Sequence, residues 1–246
     1  MNSLSQILHV ISSMGLPLLF AMVLHEYAHG WVAEKCGDQT AKLHGRLTMN
    51  PLAHIDPIGT IVMPLICLIL PGSFLLGWAK PVPIDPRNMH HSRRDMALTA
   101  AAGPGMNLVL AAASGLLLAL LLALEPTLFI RQTDGAASTS SFVTTMFLHP
   151  TAVMALYSVM INVFLALFNL IPIPPLDGGR IMMSLLPPKP AMALARLERY
   201  GMLIVVVLIL FDKELRVIHT ISNTFAMGLS GTILSTAFGL AAGASE

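Results

Sequence analysis

Residues 7–31 read ILHVISSMGLPLLFAMVLHEYAHGW. From Ile7 to Leu24 the run is apolar and uncharged, and it leads straight into His25-Glu26-Tyr27-Ala28-His29. A bilayer core about 30 Å thick is crossed by roughly 20 apolar residues in a helix, so the run predicts a membrane helix with a polar pentad at its end. Helix positions i and i+4 share a face, so His25 and His29 can grip one Zn²⁺. Glu26 stands beside them, suited to take a proton from water at that metal. Such groups at the end of an apolar run are costly in a membrane unless paired or coordinated.

The rest of the chain fits that setting. It has 246 residues, of which 55% are hydrophobic and 11% charged, with mean hydropathy +0.74. Soluble domains carry about 25% charged residues, so a water-covered surface is not what this composition builds. The net charge of +1 points to no nucleic acid. Cys36 and Cys67 form no CxxC pair and read as packing residues. No Lys or Arg precedes Lys35, so the first apolar run lacks the basic region of a cleaved signal and is expected to persist as a helix.

Further spans are expected over 96–124 and 151–171, with a polar loop between them. A C-terminal helical hairpin is expected over about 190–243, whose second arm, 217–243, either spans or lies on the surface. The apolar stretch 58–76 is broken by Pro64 and Pro71-Gly72. If it crossed the membrane, the basic residues would divide almost evenly. If it re-enters, Lys35, Lys42, Arg46, Lys80, Arg87, Arg93, Arg94, Arg180, Lys189, Arg196 and Arg199 share one side. Arg131, Lys213 and Arg216 then take the other. The positive-inside rule favours re-entry, with the basic side cytosolic. Pro81 and Pro83 make 77–86 a short extended segment, a candidate β edge for an unwound substrate. The expected fold is therefore an all-α polytopic membrane protein of about five to six membrane helices, with that re-entrant segment and extended edge. It forms one domain over 1–246, with a catalytic core at about 7–186.

A catalytic zinc needs a third protein ligand and an open position. Asp177, in Pro174-Pro175-Leu176-Asp177-Gly178-Gly179-Arg180, lies just past an apolar span, and Gly178-Gly179 permit close backbone approach. Its bland alternative is a helix N-cap. Asn107 and Asn162, inside apolar runs, are expected to hydrogen-bond between helices. Asn169 is placed where its amide could face the metal, with packing as the competing reading. His54 lies near the membrane in NPLAHIDP, without an assigned role.

HEYAH in an early helix, AAGPGMN at Ala101–Asn107 and NLIPIPPLDGGR at Asn169–Arg180 together resemble the site-2 protease family of intramembrane zinc metalloproteases. The NPLAHIDPIGT and GWAKPVP segments are similar to a compact prokaryotic branch without a PDZ domain. The resemblance covers about residues 15–186. It implies a three-helix zinc-protease core, one Zn²⁺ per chain on His25, His29 and Asp177, Glu26 as general base, and Asn169 at the oxyanion or substrate. It implies transmembrane protein or peptide substrates, regulated intramembrane proteolysis, and a prokaryotic cell membrane with the site toward the cytosol. Trp78, Ala79, Lys80 and His54 are the candidate substrate-binding residues. The readings from other classes are a membrane zinc transporter and a zinc-binding scaffold; both would bind metal without Glu26-dependent cleavage.

Overall fold

Helix α1 spans Ser3–Lys35, and at 1.5 Å per residue it is about 50 Å long. The pentad thus sits inside one continuous helix with the apolar run, Pro17 included. The helix ends as its sequence dictates. Gly37 takes φ +108°, its N–H bonds to Glu34 O, and Asp38 N–H bonds to Ala33 O. This is a Schellman closure, and a residue with a Cβ would strain it.

The computed structural model describes residues 3–62, 78–126, 128–129, 142, 144–201 and 203–204. After α1 come α2 (Thr40–Leu43), α3 (Ser92–Leu124), α4 (His149–Asn169), α5 (Asp177–Leu185) and α6 (Pro188–Leu197). The chain divides into two compact units. One comprises 1–18, 109–164 and 212–246, the other 19–108 and 165–211.

In the first unit, Leu118, Leu121 and Leu128 pack on Ala152 and Ala155. The small residues let α3 and α4 approach closely. Ser114 Oγ pairs with Ser158 Oγ across them at 2.8 Å, and Asn162 Nδ2 donates to Ser158 O of its own helix at 2.8 Å and to Ser158 Oγ at 3.2 Å. Both of these Asn162 bonds stay within α4, and the bond that crosses to α3 is made by Ser158. Outside that seam α3 exposes Leu108, Val109, Leu116, Leu120 and Leu124. Two described helices, Ser92–Leu124 and Met146–Asn169, are long and apolar enough to cross a membrane, with mean hydropathies of 2.4 and 2.1.

The second unit carries the pentad. After a 3₁₀ turn at Pro51–His54, a π-helical turn runs from Pro57 to Val62. Asp56 Oδ1 accepts the N–H groups of Ile58 and Gly59 at its start. Trp78 N–H donates to Gly59 O at 3.1 Å, and Thr60 Oγ1 donates to Trp78 O at 3.0 Å. The chain is therefore back at Gly59 when it reaches Trp78; the remainder of the expected re-entrant segment lies outside the described residues.

The expected β edge is not a strand: residues 78–85 have no regular secondary structure, and the described residues contain no sheet. The reason lies in their N–H groups. Trp78 donates to Gly59 O, Lys80 to His54 O and Val82 to a carboxylate of α1, while Pro81 and Pro83 have none to give. The expected C-terminal hairpin is described only at its start. α6 ends at Leu197 and passes into a 3₁₀ turn, Glu198–Tyr200. Most of the expected C-terminal hairpin, from 205 onward, lies outside the described residues, so the expected count of five to six spans extends beyond them.

Candidate metal centre

Within the second unit, α1 presents His25 and His29 from consecutive turns, and their rings meet edge to face with centroids 4.6 Å apart. Nε2 of one lies 3.0 Å from Nε2 of the other. Oδ2 of Asp177, the first residue of α5, lies 3.2 Å from each. All three residues are buried. The Asp177 carboxylate faces the two imidazoles from the first turn of α5.

The outer nitrogens fix the tautomers. His25 Nδ1 is 2.6 Å from Asn107 Oδ1, and His29 Nδ1 is 2.7 Å from Thr99 O. Both partners are acceptors, so both Nδ1 atoms carry the proton and both neutral Nε2 atoms present lone pairs. Two lone pairs and a carboxylate oxygen then converge with no hydrogen between them, and Asp177 Oδ2 is buried without a hydrogen-bond donor. Such a triangle is repulsive unless a cation sits within it. Ligands about 2.0–2.2 Å from a tetrahedral Zn²⁺ stand roughly 3.3 Å from one another. The observed spacings match, and the three side chains fit a metal ion together.

The backbone around the triangle is chosen for closeness. A Cβ on Gly103, in Gly103-Pro104-Gly105 of α3, would run into both imidazoles. A Cβ on Gly178 would strike the carbonyl oxygens of Leu170 and Ile171. Both elements reach their positions because glycine leaves that space empty.

Glu26 is half-buried one residue from His25, and its Oε2 accepts the Val82 N–H at 2.9 Å. Flanked by Pro81 and Pro83, Val82 supplies the one N–H of that tripeptide. The segment leans on α1, since a Cβ at Gly30 would lie 3.2 Å from Val82 Cγ1. Asp38, fully buried, anchors its far end. Asp38 accepts from Asp85 N–H at 2.7 Å, Asn88 Nδ2 at 3.1 Å, and the Thr40 N–H and hydroxyl. Burial alone would raise the Asp38 pKa, but these four donors outweigh it and hold the carboxylate below its ordinary value.

The other candidates lie apart from the triangle's hydrogen bonds. Asn169 Nδ2 donates to Leu165 O of its own helix at 2.9 Å. His54 is buried. Its Nε2 donates to Thr48 O at 2.8 Å and its carbonyl receives Lys80 N–H, which ties it to the Trp78–Lys80 stretch. Trp78 and Ala79 are half-buried, Lys80 exposed. Sequence reasoning missed Thr99, which acts through a carbonyl that any residue has, and Val82, which acts through its N–H.

A buried His-His-carboxylate triangle with a neighbouring Glu is a metalloprotease arrangement. Residues 14–211 match peptidase family M50, and the chain belongs to that family, as the site-2 protease resemblance implied. It is similar to YwhC of Bacillus subtilis, described as a candidate zinc metalloprotease, with 39% identity over 193 residues, 78% of this chain and 77% of that protein. It is also similar to Rip2 of Mycolicibacterium smegmatis and of Mycobacterium tuberculosis H37Rv, described in the same terms. Those identities are 33% and 30% over 192 residues, 78% of this chain and 64% of each relative. No solved structure matches the chain.

Proposed function

We propose that this protein is an intramembrane zinc endopeptidase that cuts membrane proteins within or beside their transmembrane segments. The observation that carries the reading is the convergence of His25 Nε2, His29 Nε2 and Asp177 Oδ2 beside Glu26. His25, His29 and Asp177 would hold one Zn²⁺. A zinc ion bound there supplies a Lewis acid and brings the pKa of water toward about 7. Asn107 and Thr99 O orient the two imidazoles. Glu26 accepts a proton from the attacking water and delivers it to the leaving nitrogen, while Val82 N–H holds its other oxygen. Asn169 takes the oxyanion or substrate role in this proposal once its amide leaves Leu165 O.

The membrane setting is supported by the long apolar helices and the leucines that α3 exposes. The Gly59–Trp78 hydrogen bond supports re-entry at 58–76, because segment ends one hydrogen bond apart cannot lie on opposite faces. Residues 35–56 and 78–94 then share the basic, cytosolic side.

A substrate helix must unwind to expose its scissile amide. Among the described residues nothing engages the Ala79 N–H, whereas those of Trp78, Lys80 and Val82 are taken. Ala79 is therefore where the proposed pairing has a donor to offer. A cavity of about 380 Å³ beside Val82 is lined by Ile84, Met96 and Met183 on one hand and by Arg180 and Glu198 on the other, so it offers both apolar and charged contacts to a substrate. The test is cleavage of a transmembrane substrate in liposomes after zinc is stripped by a chelator and restored. Activity should vanish and return, and Ala79→Pro should weaken cleavage without loss of zinc. Cleavage unaffected by stripping would refute the proposal.

A further inference from the structure

We infer that the cleft between the first turns of α3 and the end of α5 binds an anionic phospholipid, its phosphate on Arg93 and Arg94 and an acyl chain along the apolar floor. The cleft has a volume of about 620 Å³ and is lined by Ala97, Leu98, Ala101, Ile181 and Leu185, with Ser184 and the two arginines. It lies wholly within the second unit.

Its chemistry is divided along its length. The arginines lie in the first turn of a 33-residue helix, where unpaired N–H groups favour negative charge. Arg93 donates to Leu186 O, which fixes one guanidinium at the rim. Among the described residues no acid pairs with Arg94. The neighbouring carboxylate, Asp95, is buried and accepts His91 N–H at 2.7 Å, so it does not neutralise the rim. Leu98, about one turn after Arg94 on α3, and Leu185, at the end of α5, are 48% and 72% exposed.

A soluble phosphate could use the arginines but would leave these leucines uncovered. A neutral lipid could cover the leucines but would leave Arg94 without a counter-charge. An anionic phospholipid satisfies both, and the start of a membrane-crossing helix is where its headgroup resides. The inference rests on the membrane placement of α3 and is independent of proteolysis.

The test is native mass spectrometry of the full-length protein in detergent, offered equal phosphatidylglycerol and phosphatidylcholine. The wild type should retain phosphatidylglycerol preferentially, and Arg94→Gln should lower that preference about fivefold, the effect of one basic residue at a lipid surface. Ala101→Trp, which fills the floor and leaves the arginines in place, should abolish retention of either lipid at this site. Arg94 donates no hydrogen bond within the described fold, so its variant should keep wild-type zinc content and thermal stability. Equal retention of the two lipids, a preference untouched by both variants, or displacement of the lipid by millimolar inorganic phosphate would each overturn the inference.

Discussion

Asn107 Oδ1 receives the Nδ1 proton of His25 at 2.6 Å, between two helices whose residues are 82 positions apart in sequence. That bond decides which imidazole nitrogen is left for a metal. Replacing Asn107 with Leu frees the tautomer and the ring. Zinc affinity should fall by 10- to 100-fold, the usual cost of losing such an outer partner. Asn107→Asp keeps an acceptor and should retain most of it. Competition against a chromophoric chelator measures both.

Gly103 gives a steric test of the same centre. In Gly103→Ala the new methyl would overlap the rings of His25 and His29, and overpacking of this kind costs about 1–3 kcal/mol. Zinc content should drop at least tenfold while the helical circular dichroism of the detergent-solubilised protein persists. Full zinc occupancy in this variant would contradict the closeness of α3 to the pair.

Val82 separates positioning of the base from metal binding. Val82→Pro removes the N–H that holds Glu26 Oε2, whereas Val82→Ala keeps it. The proline variant should lose about tenfold or more in kcat with zinc content unchanged, and the alanine variant should stay within about twofold. Parallel loss in both would mean that the side chain, not the N–H, matters there.

Asp38 yields a pH dependence whose sign follows from its environment. Its folded pKa lies below its ordinary value, near 3.9 for an unfolded chain. Its contribution to stability is thus present above about pH 4 and is lost as pH falls through the folded pKa. Asp38→Asn should lower stability by about 1–2 kcal/mol at pH 7. Thermal unfolding in detergent should show the gap to wild type narrowing below about pH 4. A gap that widens on acidification would contradict the assignment.

Much of this centre was legible because helices obey a fixed geometry. The i, i+4 spacing of His25 and His29 puts them on one face in any α-helix. Gly178 and Gly179 marked a close approach that the carbonyls of Leu170, Ile171 and Ile173 now explain. Among the described residues 78–85 form no strand, because prolines signal extension but not pairing, and the acceptors that take the N–H groups of Trp78, Lys80 and Val82 lie in elements distant in sequence. Asn169 was ambiguous for a similar reason. A terminal helical amide can reach outward or bond back to i−4, and here it bonds back to Leu165 O.

The most direct test compares wild type with Glu26→Gln on a membrane-spanning substrate in liposomes, with zinc quantified in the same preparations. The account predicts equal zinc in both proteins, cleavage by wild type, and a loss of at least about 100-fold in Glu26→Gln. Equal cleavage by the two proteins, or no cleavage by zinc-loaded wild type of any transmembrane segment presented to it, would contradict it.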